Sequence, residues 1–224
     1  MLKLIMRLKV FTFLLIFISF AFGQTYCRGI YRNKIALTFD DGPNPLFTEF
    51  VLDILRENNI KATFFLVGKK VKENPELLLE IANEGHEIGN HTYYHSRTSW
   101  INNNKLLDEI DLTSEIILRE ADKQIKLFRP PHGVINSEKR AVVEKAGYHI
   151  VMWSVNADDF SHAFYGMRNS QSISRRVLSR ITGGDIVLMH DSSAQTIVAL
   201  PIIIKELKRR GFSFATVSEI TGLF

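Results

Sequence analysis

From Lys34 onward, short apolar runs alternate with amphipathic stretches. Ile35, Leu37 and Phe39 occupy every second position, the period of a strand, and Leu46, Phe50, Val51, Ile54 and Leu55 follow at helical spacing. Ala62 to Val67 is a second apolar strand. Pro75 opens a helix that runs through Ile81 and stops near Gly85, because the proline ring already holds the φ of a first helical turn. His86 to Ile88 predicts a third strand, Leu106, Ile110 and Ile117 one face of a long helix, and Leu127–Phe128 a fourth strand. Ser137 is placed as the cap of a helix ending near Gly147, with Glu138 in its first turn, where an acid complements the helix dipole. Tyr148 to Val155 reads as extended, Ile173, Val177 and Leu178 as a helix, and Ile186 to Met189 as a continuous apolar strand. Leu200, Ile203, Ile204 and Leu207 predict a closing helix, and Phe212 to Val217 a final strand.

Seven strands alternating with helices imply a parallel sheet, and several strands apolar on both faces favour a closed arrangement. The stretch from Lys34 holds about 190 residues, short of the ~250 typical of an eight-unit barrel. The expected fold is therefore α/β: a single-domain, irregular (β/α) barrel of seven strands. No Gly-, Pro- or Ser-rich linker divides it.

Ahead of Lys34 the pattern changes. Lys3, Arg7 and Lys9 precede an uncharged apolar run from Val10 to Phe22, with small residues Ala21 and Gly23 at its end. Residues 1–23 are expected to be a secretory signal cut before Gln24, or an uncleaved signal anchor. Residues 24–33 then form a short linker, and 34–224 the globular domain. The leader also accounts for most of the charge. Of 28 basic and 24 acidic residues, giving +4, the leader carries three basic and none acidic, so the remainder is only +1. Nucleic-acid binding loses its main support. Export is expected, with membrane contact only through an uncut leader. Cys27 has no second cysteine to pair with, so no internal disulfide forms.

The chemistry-bearing residues share one position in the pattern. Asp40 and Asp41 follow the strand ending at Phe39, and His91 and His95 follow the third strand. Arg129 follows Phe128, Asp158 and Asp159 follow Val155, and His190 and Asp191 follow Met189. Carboxyl ends of parallel strands form the rim where such folds build active sites, so these clusters should converge. Singly, each is weak: Asp40-Asp41-Gly42-Pro43 could be a plain turn, and His91 and His95 could share one helical turn without holding anything. Together, two histidines and a carboxylate make a three-ligand set that leaves positions open for water and substrate. The second carboxylate of the Asp40-Asp41 pair can then serve as base to an activated water. Arg129 can hold a catalytic aspartate ionised, and Asp159 can hold His190 in one tautomer and raise its pKa, making it a proton donor.

The blocks Thr38-Phe39-Asp40-Asp41-Gly42-Pro43, His91-Thr92-Tyr93-Tyr94-His95, Arg129-Pro130-Pro131-His132-Gly133 and Leu188-Met189-His190-Asp191 resemble the signature blocks of the polysaccharide deacetylases, the NodB-homology enzymes of carbohydrate esterase family four. They run in the family order from about Lys34 to the carboxyl terminus, so 34–224 resembles that catalytic domain. The resemblance implies an irregular (β/α) barrel and a hydrolase that removes acetyl groups from acetylated sugars with one divalent metal. Zinc is the expected metal, with cobalt or another divalent ion as alternatives. It further implies Asp41, His91 and His95 as ligands, Asp40 as general base, Arg129 as its orienting partner, His190 as general acid and Asp159 as the residue tuning it. The backbone N–H of His132 would stabilise the oxyanion. Leu188 either faces the acetyl methyl or is ordinary core; Trp153 and Phe160 either stack on a sugar or pack.

Three positions depart from the family pattern. His132 replaces a tyrosine or phenylalanine, and Asn156 and Phe160 stand where Asp-x-x-Asp-Trp has aspartate and tryptophan. The expected activity is deacetylation of N-acetylglucosamine units in an acetylated cell-wall or extracellular polysaccharide. The alternatives are another acyl or amide substrate, such as acetylxylan or a small cyclic amide, a carbohydrate-binding relative without turnover, and a non-haem iron oxygenase. Binding alone needs neither acid nor base, and an oxygenase gives no reason for Asp40 or His190.

Overall fold

The computed structural model describes residues 25–160 and 169–223. The proposed leader, residues 1–23, lies outside them. In chain order the elements are β1 (Lys34–Asp40), α1 (Thr48–Glu57), β2 (Thr63–Leu66), α2 (Gly68–Glu73), α3 (Pro75–Asn83), β3 (Glu87–Asn90), α4 (Asn103–Ala121), β4 (Leu127–Phe128), α5 (Ser137–Lys145), β5 (His149–Ile150), β6 (Val155–Asn156), α6 (Ser170–Arg180), β7 (Ile186–His190), α7 (Ala194–Arg209), β8 (Ser213–Phe214) and α8 (Val217–Thr221). Seven parallel strands run in the order β5-β4-β3-β2-β1-β7-β6. The two-residue β8 pairs with the start of β1. β1 lies at the centre and is buried on both faces from Ile35 to Asp40, which is why its apolar residues fill odd and even positions alike. Helices α1, α3, α6 and α7 cover the outer face through Leu52, Leu55, Ile81, Ile173, Leu200 and Ile204.

The seven strands expected from the pattern are composed differently. The predicted strand Tyr148–Val155 is two, β5 and β6, which form the two ends of the sheet path, so the barrel stays open between them. The predicted last strand Phe212–Val217 stops at Phe214. Thr216 caps α8 in a capping box with Glu219, so Val217 is helical, because a side-chain acceptor and a returning carboxylate satisfy two otherwise orphaned N–H groups. Asn136 rather than Ser137 caps α5, its side chain accepting from the Lys139 N–H. Helix α2 was not anticipated. The stretch expected as a linker is held to the barrel from Tyr26, which bridges to Val151, while Arg28 bridges to Asp185. The Cys27 thiol is free and exposed.

Candidate active site

Strand register brings the rim residues together. Asp40, last in β1, pairs with His190, last in β7. Asn90 at the end of β3 pairs with Phe128 at the end of β4, and the Arg129 N–H donates to the Asn90 carbonyl at 3.0 Å. His91 and Arg129, one residue further on, therefore stand side by side. Asp40, Asp41, His91, His95 and His190 line one cleft of about 420 Å³, with His132, Trp153, Asn156, Phe160 and Leu188 on its walls. Arg129 and Asp159 sit behind that lining, fully buried and nearly so.

One donor atom from each of Asp41, His91 and His95 lies within 4.8 Å of the others. Asp41 Oδ1 is 3.3 Å from His91 Nε2 and 3.1 Å from His95 Nε2. The two histidines do not share a helical turn, contrary to their spacing: β3 ends at Asn90 and the following loop is bent by positive φ at Thr92 (63°) and His95 (58°). That bend brings the two rings to 5.0 Å between centroids. His91 Nδ1 lies 2.7 Å from the Arg129 carbonyl, which can only accept, so Nδ1 carries the proton and Nε2 offers a lone pair. Asp41 Oδ1 is buried and, among the described residues, has no hydrogen-bond donor. A lone-pair nitrogen facing an ionised, unpartnered oxygen at 3.3 Å is repulsive unless positive charge lies between them. A divalent cation that accepts mixed nitrogen and oxygen ligands fits this donor set.

Beside it, Arg129 Nη1 donates to Asp40 Oδ1 at 2.6 Å and to Thr38 Oγ1 at 2.7 Å. Its Nε and Nη2 reach the carbonyls of Val151 and Met152. Those carbonyls lie in the break between β5 and β6, so the opening in the barrel supplies acceptors for a buried cation that would otherwise lack them. With Oδ1 committed to Arg129, Asp40 Oδ2 is left facing the donor set, 3.8 Å from His91 Nε2.

Across the cleft, Asp159 Oδ1 takes a hydrogen bond from His190 Nδ1 at 2.8 Å. Asp159 Oδ2 accepts from the His190 backbone N–H at 2.8 Å and from Thr196 Oγ1 at 2.6 Å. Burial alone would lower the His190 pKa, but the hydrogen bond and charge of Asp159, with the charges of Asp40 and Asp41, raise it to about 9. At neutral pH the ring is protonated, and its Nε2–H is the proton not committed to Asp159.

The substrate-wall residues are also in place. The His132 ring lies 4.6 Å from His95 between centroids, and His132 itself has φ 60°. Trp153 packs so closely on Gly133 that a Cβ there would sit 2.4 Å from the indole. Phe160 is half exposed with its ring 5.3 Å from His190, and Leu188 is buried at the cleft floor. The pattern did not reveal Thr38, Thr196, Thr48 or the placement of Asp191. Thr48 Oγ1 donates to Asp191 Oδ2 at 2.6 Å beneath the Asp41–Gly42 turn, where a Cβ on Gly42 would meet that oxygen at 2.3 Å. Threonines in a strand or a first helical turn read as ordinary structure-formers, so no sequence signal distinguishes these.

The family model described as Polysaccharide deacetylase matches residues 31–151, more than half of the chain. The chain belongs to the polysaccharide deacetylase family. Among curated family members, a peptidoglycan-N-acetylglucosamine deacetylase of Bacillus cereus is 43% identical over 189 residues, covering 83% of this chain and 87% of that protein. The peptidoglycan-N-acetylmuramic acid deacetylase of Bacillus subtilis is 36% identical over 189 residues, 84% of this chain but only 39% of that longer protein. The solved structure of a peptidoglycan N-acetylglucosamine deacetylase superposes with a TM-score of 0.83 at 35% identity, covering 88% of this chain and 92% of that one. The deacetylase barrel, with its strand ends gathered at one rim, is therefore the fold of this chain.

Proposed function

We propose that this polysaccharide deacetylase is an exported, metal-dependent hydrolase that removes the acetyl group from N-acetylglucosamine units of cell-wall peptidoglycan. The observation that carries the reading is the pairing of two tuned groups across one donor set: Asp40 fixed by Arg129 on one side, His190 fixed by Asp159 on the other. A binding module has no use for an acid and a base so placed. The named relatives support peptidoglycan as the polymer, and they include enzymes for both of its sugars. Relatives that act on a cell-wall polymer also support export, in keeping with residues 1–23 as a signal or anchor and 34–224 as the catalytic domain.

Asp41, His91 and His95 would hold the divalent ion, taken as zinc from their donor types, which would supply Lewis-acid chemistry at the acetyl group. Asp40 Oδ2 accepts the proton of the attacking water. The His132 backbone N–H faces the oxygen on which negative charge develops. His190 Nε2–H then gives its proton to the departing sugar amine, while Asp159 keeps the imidazolium oriented. Leu188 closes the floor against the acetyl methyl, and Trp153 and Phe160 border the sugar.

Purified protein loaded with zinc or cobalt should release acetate from peptidoglycan, with acetylated chitin oligomers and acetylxylan run alongside. Asp40→Asn and His190→Ala should each lower release by about a hundredfold or more, and release near the wild-type rate in both would overturn the assignment. Mass analysis of the products separates deacetylated glucosamine from deacetylated muramic acid. Intact mass of the exported protein shows whether Gln24 becomes the new terminus.

A further inference from the structure

Beyond the cleft, the His95 side of the rim displays two large aromatic rings to water. Trp100 is 79% exposed and Tyr94 57%. Exposed rings on a loose loop need no explanation, but this loop is pinned at several points. The carboxylate of Glu109, itself buried, accepts from the Tyr94 N–H through one oxygen and from the Ser96 hydroxyl through the other. Thr98 is buried and donates to the Val134 carbonyl, tying the Thr98–Trp100 turn to the loop that carries His132. Tyr94 packs edge-on against the buried Tyr93 ring. A cation steadies each ring: Arg97 lies 5.1 Å from the Trp100 centroid and Lys105 5.3 Å from that of Tyr94. The scaffold thus holds two apolar faces in water at fixed positions, Tyr94 beside His95 in sequence and Trp100 in the turn that Thr98 bonds to the segment after His132.

We propose that Trp100 and Tyr94 form a docking platform for the sugar units flanking the one being deacetylated on the same glycan strand. The inference rests on the deacetylase reading above and extends it outward. Flat aromatic faces suit the C–H faces of pyranose rings, which bury apolar surface while their hydroxyls stay in water. Continuity with the cleft selects the same strand as occupant, since a polymer seated at His95 and His132 must leave across this rim or the opposite one. Arg97 and Lys105 add positive charge that suits the carboxylates of a peptidoglycan strand. The platform contributes to chain-length preference and leaves the bond-breaking step alone.

The test compares wild type with Trp100→Ala and Tyr94→Ala, as full-length metal-loaded protein, on N-acetylchitohexaose and N,N′-diacetylchitobiose. On the hexamer KM should rise about five- to tenfold for Trp100→Ala with kcat within about twofold, and less for Tyr94→Ala. On the dimer, which offers a single flanking sugar, KM should change less in both. Equal KM changes on hexamer and dimer, or none, would overturn the platform. Should wild type release no acetate from either oligomer, the deacetylase reading fails on these glycans and the platform is judged by binding. Hexaose titration should then quench tryptophan fluorescence more in wild type than in Trp100→Ala, which keeps Trp153 in the cleft; equal responses reject it. A change in oligomeric state on Trp100→Ala, without a change in hexaose KM or quenching, would assign the ring to self-association and reject the glycan.

Discussion

Arg129 Nη1 stands 2.6 Å from Asp40 Oδ1 at the cleft floor, with Arg129 fully buried and Asp40 nearly so, and the two form a close ion pair. Breaking such a pair from one side leaves an uncompensated buried ion. Arg129→Met should therefore cost about 3–5 kcal/mol of stability in denaturant unfolding. Asp40→Asn should cost less, because the amide oxygen still accepts from Nη1, yet it should lower kcat for acetate release by roughly 10²–10⁴ through loss of the base. An Asp40→Asn variant that keeps the wild-type kcat would separate Asp40 from the role of base.

The proton on His190 gives a pH signature. Its pKa is raised to about 9, against the lowering effect of burial, by the Asp159 hydrogen bond and charge together with Asp40 and Asp41. The protonated ring is the form that donates, so activity is present below that pKa and lost as pH rises through it. A bound cation offsets the Asp40 and Asp41 contributions, which leaves Asp159 as the element to vary. In Asp159→Asn the alkaline limb of kcat/KM should move down by at least about one pH unit, toward the ordinary histidine value. An unmoved limb would take the acid role away from His190.

The clustering of the candidate residues at one rim was legible because each falls at or shortly after the end of an apolar strand, and strand ends converge whatever the helices between them do. Asp40, Asp41, His91, Arg129, Asp159 and His190 all sit within four residues of a strand end. What the pattern hid depends on backbone bends and cross-chain register. His91 and His95 approach through two left-handed residues in a loop, where four-residue spacing suggests a helix. Thr38 and Thr196 are indistinguishable from structural threonines until register sets them beside Arg129 and Asp159. The break at Met152 is masked by the apolar run Tyr148–Val155, although it frees the carbonyls that Arg129 uses. The Thr216…Glu219 capping box was in plain view, and the apolar residues Phe212, Phe214 and Val217 outweighed it.

Removing the metal should cost both activity and stability. Chelation should abolish acetate release, and zinc or cobalt should restore it. At a metal concentration of about 100 times Kd, binding stabilises the fold by about 2.7 kcal/mol, which for a domain of this size is a melting-temperature loss of roughly 5–10 °C on chelation. His95→Ala should abolish most of that difference while folding normally, since the ring is partly exposed. His91→Ala should also destabilise the apoprotein, because His91 Nδ1 is bonded to the Arg129 carbonyl inside the barrel. A melting temperature indifferent to chelator would remove the metal from the Asp41 site.

Asp191 supplies a stability test independent of catalysis. Its carboxyl is fully buried under the Gly42 turn, with Oδ2 accepting from Thr48 and Oδ1 lacking a partner. Burial foremost, and then the charge of Asp41, push its pKa up to about 7, against the opposing pull of Thr48, Lys70 and His190. The folded chain thus keeps this proton where the unfolded chain, near 3.8, has released it. The contribution of Asp191 to stability is full below that lower value, declines as pH rises toward 7, and is constant above. Asp191→Asn keeps the shape and the acceptor for Thr48 but cannot ionise. Its melting temperature should match wild type near pH 4 and exceed it by roughly 10 °C at pH 8, since a carboxyl raised from 3.8 to about 7 is worth about 4 kcal/mol. Comparing the two proteins at each pH cancels the linkage from groups that do not interact with Asp191. A difference that stays constant from pH 4 to 8 would show that Asp191 keeps its ordinary acidity in the fold.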